Sequence, residues 1–290
     1  MINEFKVIEI FCQLDDFMKA FEKHVAGEKL IGSCPAKSVH KPRISYQEMM
    51  CIEIVYQLSG YKCFQYYYQN VIETGSLKGY FKACSYSRFI QLKPRIALLM
   101  PIFLLYCRLG ESNGIYYADS TKIAVCHNKR IHSNKVFSGI AARGKTSVGW
   151  FYGWKLFIVV NPLGQLINVR LSGANKADNN AGLISNLLAR LKGWAFADKG
   201  FINQNAMKDL FEKGLHLITK TRKNMKNKLM DRKQKLLLGK RGMIESVIAM
   251  LKGVCDIEHS RHRNPLNAFL NIFAGLAAYS FLDRLPSVSF

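Results

Sequence analysis

One segment restricts the fold more than any other. Residues 150–160 read WFYGWKLFIVV, residues 161–164 read NPLG, and residues 165–171 read QLINVRL. Aromatic and β-branched residues dominate both arms, and Asn161-Pro162-Leu163-Gly164 is turn chemistry, so the segment is a β-hairpin. Ahead of it, residues 114–118 (GIYYA) form a short strand that stops at Asp119. Residues 122–125 (KIAV) are a brief apolar segment, and the polar stretch through Lys145 is a loop or flap. After the hairpin, residues 178–191 have helical spacing with Asp178 as N-cap. Residues 193–197 (GWAFA) are a strand running into Asp198, 203–212 a helix, 215–219 (LHLIT) a strand, 240–251 a helix, and 265–282 a last apolar helix.

With KIAV set aside, the order is three strands, then helix, strand, helix, strand, helix. Three antiparallel strands followed by alternating helices and strands is the order of a ribonuclease-H-like fold, a mixed sheet with helices on both faces. Residues 1–110 read mainly as helix. Residues 45–58 open on Ser45 as N-cap, and residues 87–109 are interrupted by Pro94 and Pro101. An aromatic cluster (Tyr61, Phe64, Tyr66, Tyr67, Tyr68) lies between them and reads as core. The expected architecture is α/β: a smaller all-α N-terminal domain over residues 1–110, then a ribonuclease-H-like domain over 111–290.

Charge limits the partner. The chain has 42 Lys and Arg against 20 Asp and Glu, a net charge of +22. A globular chain this basic repels itself unless it meets a polyanion. A membrane is disfavoured, because the longest apolar run, residues 96–107, contains Pro101 and falls short of the roughly 20 residues a span needs. The N-terminus shows no leader pattern. Eight cysteines without a CxxC spacing argue for buried thiols in a reducing compartment and a cytoplasmic protein.

Acids are scarce, so their positions carry information. Asp119 follows the first strand and Asp198 the fourth, and in a sheet of this order those strands are parallel neighbours. Both carboxylates then stand at one carboxyl edge, where α/β folds place ligands. Glu245 lies on the helix after the last strand and can reach the same point. Three converging carboxylates repel one another unless a cation sits between them. Oxygen-only donors suit Mg²⁺, with Mn²⁺ as substitute. Two such ions about 4 Å apart can activate an attacking oxygen and stabilise a leaving one at a phosphodiester. Ordinary turn roles also suit Asp119, before Ser120-Thr121, and Asp198, before Lys199-Gly200.

Arg241, Glu245 and Lys252 stand in the frame Arg, three residues, Glu, six residues, Lys. This resembles the signature of DDE transposases from bacterial insertion sequences, where a Tyr precedes the Arg by three residues; here that position is Leu238. The frames YYADST, FYGWKL, FADKGF and EHSRHR together resemble the nine-eighty-two insertion-sequence family. The resemblance implies a transposase in which Asp119, Asp198 and Glu245 bind two Mg²⁺ ions, DNA is cut at the transposon ends, and the freed 3′-hydroxyl is joined to target DNA. It implies double-stranded DNA as partner (terminal inverted repeats and target) and a homodimer on DNA, because two ends must be held together. A nuclease of the same fold that does not join strands, and a non-catalytic DNA-binding protein, are the alternatives.

Spacings of four and seven residues put Arg241 and Lys252 on the helix face of Glu245, where they can clamp phosphates or remain solvated. From Lys220 to Arg241 there are ten Lys or Arg residues and one acid. Lys220, Arg222, Lys223, Lys226, Lys228, Arg232, Lys233 and Lys235 are read as a DNA backbone track. Lys129, Arg130, Lys135, Arg143 and Lys145 form a second basic segment soon after Asp119, placed to touch DNA near the site. His259 and His262 suit a capping or DNA-facing role better than a metal. Trp150 and Trp154, evenly spaced on one strand, are read as core, with base stacking the lesser alternative.

Overall fold

The computed structural model describes residues 3–27, 43–146, 149–221, 229–259 and 262–288. The chain divides into two compact units. Unit 1 is Met1–Cys107, Val254–Ile257 and Leu266–Phe281; unit 2 is Arg108–Gly253, Glu258–Pro265 and Leu282–Phe290.

Among its described residues, unit 1 holds helices and no strand: α1 (Glu4–Gly27), α2 (Tyr46–Leu58), α3 (Phe64–Tyr67), α4 (Tyr86–Leu92), α5 (Leu99–Cys107) and, from the far end of the chain, α10 (Pro265–Tyr279). Ser45 and Glu48 start α2 with a capping box: Glu48 N–H donates to Ser45 Oγ, and Ser45 N–H donates to Glu48 Oε2. Residues Glu48 to Gln57 of α2 are all buried, so its polar groups need partners. Gln57 donates to Asn271 of α10 at 2.8 Å, and Glu53 pairs with Lys93 at 2.9 Å. Chain order alone puts α10 with the strands; the fold groups it with the N-terminal helices. Among the described residues no single helix is long and apolar enough to cross a membrane, although Tyr86–Ile96 and Leu99–Cys107 pass that test as a pair bent by 56°.

Unit 2 is built on six strands: β1 (Ile115–Cys126), β2 (Ala142–Thr146), β3 (Gly149–Val160), β4 (Leu166–Gly173), β5 (Gly193–Ala197) and β6 (Leu215–Thr219). Its helices are α6 (Ala181–Leu188), α7 (Gln204–Glu212), α8 (Arg232–Gly239) and α9 (Met243–Gly253). The sheet order is β2-β3-β1-β5-β6, with β4 also on β3. Residues Gly149–Gly153 of β3 pair with β2, and Trp154–Val160 pair with β4, so one edge of β3 serves two partners in succession. The β1–β3 and β3–β4 pairs are antiparallel, and β1–β5 and β5–β6 are parallel. This is the mixed sheet expected from the order of elements.

The hairpin turn between β3 and β4 is held by Asn161, whose Oδ1 accepts from the N–H groups of Leu163 and Gln165. Gly164 has φ of 76°, and a Cβ there would lie 2.1 Å from the Pro286 carbonyl oxygen, so only glycine fits. Tyr116, Ala118, Phe157 and Val159 on one sheet face pack with Ile184, Leu187 and Leu188 of α6 and with Ala206 and Leu210 of α7. On the other face Lys233 of α8 stands over the Trp194 ring at 5.8 Å. That second face carries Tyr117 and, two residues on, Asp119.

Candidate functional site

The first strand does not stop at Asp119. β1 runs on to Cys126, absorbing the KIAV segment, because β3 pairs with it along its length. What ends near Asp119 is the parallel neighbour: Ala118↔Ala197 is the last β1–β5 pair, and Asp198 follows Ala197. Asp119, inside β1, and Asp198, just past the end of β5, therefore stand at the next register position of adjacent strands, about 4.8 Å apart at strand spacing. Asp119 Oδ1 accepts from Ser120 N–H at 2.8 Å. Asp198 occupies the N-cap position of the turn Lys199–Phe201 but makes no capping bond, and its side chain is half exposed.

Glu245 lies in the first turn of α9, which packs beside β1. The short 3₁₀ turn Lys240–Gly242 before it carries Arg241. Arg241 Nη1 is 3.0 Å from Asp119 Oδ2; its Nη2 is 3.2 Å from Glu245 Oε1 and 3.9 Å from Asp198 Oδ1. A single guanidinium, 17% exposed, thus touches all three carboxylates. The Asp119 carboxyl is pushed above its usual value of 3.8. Burial is the main cause; the Ser120 N–H and Arg241 offset part of it, and Asp198 adds to the rise.

Lys252 is not gathered with this group. Its Nζ donates to the Lys122 carbonyl at 2.8 Å and to Glu258 Oε2 at 2.7 Å. Glu258 Oε1 in turn accepts from Ala124 N–H at 3.1 Å. Beyond Ala118, β1 has lost β5, and these two side chains supply the donor and acceptor that a neighbouring strand would have offered. Leu238 is a buried residue of α8 and packs in the core.

Of the basic track, Lys220, Arg232, Lys233 and Lys235 are exposed. Arg222, Lys223, Lys226 and Lys228 lie outside the described residues. The His259 and His262 rings pack edge-on at 5.1 Å.

Asp178 is not the N-cap of α6. Asn180 holds that position and accepts from Leu183 N–H at 3.0 Å. Asp178 Oδ1 instead accepts from the buried Lys155 Nζ at 3.0 Å and from Ser120 Oγ at 3.1 Å, which braces the strand residue next to Asp119. The signal was a lysine within the apolar run of β3. Trp154 is buried as expected, but Trp150 is exposed. The four-residue Arg241–Glu245 spacing is a visible helical ion-pair signal; that the same Arg also reaches both aspartates depends on tertiary placement.

Among the described residues no three His, Cys, Asp or Glu side chains are set to hold one metal ion as they stand. The donor set nonetheless suits a hard divalent cation: three carboxylates, oxygen only, already drawn around a positive charge. For an ion to take that place, the guanidinium of Arg241 must turn away.

Residues 109–265, more than half of the chain, match the family model described as "Transposase DDE domain". Among solved structures the chain resembles a piggyBac transposase synaptic complex with hairpin DNA. The TM-score is 0.54 at 9% identity, covering 94% of this chain and 71% of that one. No curated protein matches.

Proposed function

The chain belongs to the family of DDE-domain transposases, and on that premise we propose that it is the transposase of a bacterial insertion sequence, cutting DNA at the element's ends and joining the freed 3′-hydroxyl to target DNA. The observation that carries this is the convergence of Asp119, Asp198 and Glu245 on Arg241 at the end of β5. The frames YYADST, FYGWKL, FADKGF and EHSRHR support reading it as similar to the nine-eighty-two group of insertion sequences.

Asp119 would hold the metals from within β1, Asp198 from the end of β5 and Glu245 from α9. When bound, two Mg²⁺ ions supply Lewis acidity at the scissile phosphodiester. The protein's own contribution is positional. The strand pair keeps the two aspartates in register, and the Lys155–Asp178–Ser120 contacts hold β1 from behind. Arg241, once released from the carboxylates, is placed to grip a phosphate beside the cut, since a planar guanidinium suits carboxylate and phosphate alike. Exposed Lys220, Arg232, Lys233 and Lys235 extend the positive track. The N-terminal helices are proposed to bind the DNA ends, and a homodimer to hold two ends together.

The test is incubation with labelled DNA from either side of the coding sequence, a target plasmid and Mg²⁺. Joined product supports transposition. Hydrolysis without joining assigns the protein to nucleases of the same fold. DNA binding without cleavage contradicts the catalytic reading.

A further inference from the structure

Between Asp119 and Asp178 the chain has no Asp or Glu, yet it carries nine Lys or Arg residues. Five of these, Lys129, Arg130, Lys135, Arg143 and Lys145, are exposed and lie between the end of β1 and the start of β3. Beside them Trp150 is 62% exposed, whereas Trp154, on the same face of β3, is 3% exposed. Lys145 Nζ stands 5.7 Å from the Trp150 ring centroid. The Trp150 carbonyl accepts from Asn128 Nδ2 at 2.7 Å, which ties the turn carrying Lys129 and Arg130 to the same spot.

A large aromatic left in water forfeits burial, and clustered cations without acids repel one another. One partner relieves both costs: a backbone with phosphates for the cations and an apolar sugar face for the indole. We propose that Trp150, Lys145, Lys129 and Arg130 form a second contact surface for duplex DNA, away from the carboxylates. This rests on the DNA reading above and deepens it. Trp150 shares its face of β3 with Ile158, the cross-strand partner of Asp119. Eight residues of strand separate the two tryptophan and isoleucine positions, about 26 Å at roughly 3.3 Å each. That is about eight base pairs of B-DNA, so the surface meets flanking duplex and not the scissile bond. A lone aromatic among spread cations suits backbone contact; single-strand grooves use successive aromatic platforms.

The experiment uses the full chain in EDTA with a duplex of about three helical turns, read by anisotropy and tryptophan emission. Trp150→Ala weakens binding about tenfold, in line with the loss of the indole's apolar contact with the sugar face. Trp150→Phe, which keeps the ring and guards against misfolding, retains most of the affinity but loses the emission change. Removing Lys129, Arg130 and Lys145 together as Gln lowers the salt slope by about 2.7, at about 0.9 per phosphate contact. Unchanged duplex affinity and emission response in Trp150→Ala and Trp150→Phe overturn the surface while leaving the DNA reading intact. A single strand that outcompetes the duplex overturns the duplex assignment in favour of base stacking. Failure of the unaltered protein to bind DNA sinks this surface and the proposed function together.

Discussion

Arg241 Nη1 and Asp119 Oδ2 are 3.0 Å apart, although the residues are 122 positions apart in sequence. The same guanidinium reaches Glu245 and Asp198, so one positive charge of the chain serves three carboxylates. Arginine is the side chain suited to this, because its planar fork can address several oxygens at once.

Arg241→Gln is expected to raise Mn²⁺ affinity in the absence of DNA, since the competing cation is gone, and to lower stability by about 1–3 kcal/mol as carboxylates lose their partner. The checks are titration calorimetry with Mn²⁺ and thermal unfolding with and without it. The Mn²⁺-induced rise in melting temperature should be larger in the variant. A fall in Mn²⁺ affinity would mean that Arg241 scaffolds the site instead of holding the ion's place.

Asp119 has a pKa raised by burial in the folded chain. Between its ordinary value and the raised one, the native state binds more protons than the unfolded state, so metal-free stability falls as pH rises through that window and is favoured below it. Asp119→Asn lacks the titration. Relative to the variant, the unaltered protein should lose stability as pH increases above the usual carboxylate range. Urea midpoints measured across acidic pH without divalent ions provide the check.

Lys252 and Glu258 finish the open edge of β1. Lys252→Met should cost about 1–3 kcal/mol by leaving the Lys122 carbonyl and Glu258 without their partner. It should leave the salt slope of DNA binding unchanged, whereas loss of a phosphate contact would lower that slope by about 0.9. Denaturant unfolding and salt-dependent anisotropy on one variant separate the two roles.

Lys155→Met leaves Asp178 with only Ser120 Oγ on its shared oxygen. The expected loss is roughly 2–3 kcal/mol, less than for a fully buried pair because solvent partly screens the partly exposed Asp178. The double variant Lys155→Met, Asp178→Leu should recover much of it in denaturant unfolding, since neither charge is then stranded.

Much of the strand order was legible because β3, β4, β5 and β6 are apolar runs bounded by turn residues. The boundary at Asp119 was not. Ser120-Thr121-Lys122 looks like a turn, but the backbone stays in the sheet through pairing with β3 on one side and the Lys252–Glu258 cap on the other. The N-cap was misassigned because Asp178, Asn179 and Asn180 are all good capping residues, and the buried Lys155 claims Asp178. Trp150 looks like core by spacing, yet its end of β3 pairs with β2, where its partner Lys145 is exposed. The Arg–Glu spacing on the helix was readable; its meeting with two strand-borne aspartates depends on how β1, β5 and α9 come together.

The most direct measurement is the rate of DNA-end cleavage in Mg²⁺, at saturating DNA, for Asp119→Asn, Asp198→Asn and Glu245→Gln beside the unaltered protein. Each isosteric change removes one of the charges proposed to hold metal and should slow cleavage by about a hundredfold or more while DNA affinity is kept. Cleavage within about tenfold of the unaltered rate in any one of the three would contradict a catalytic centre built on that residue.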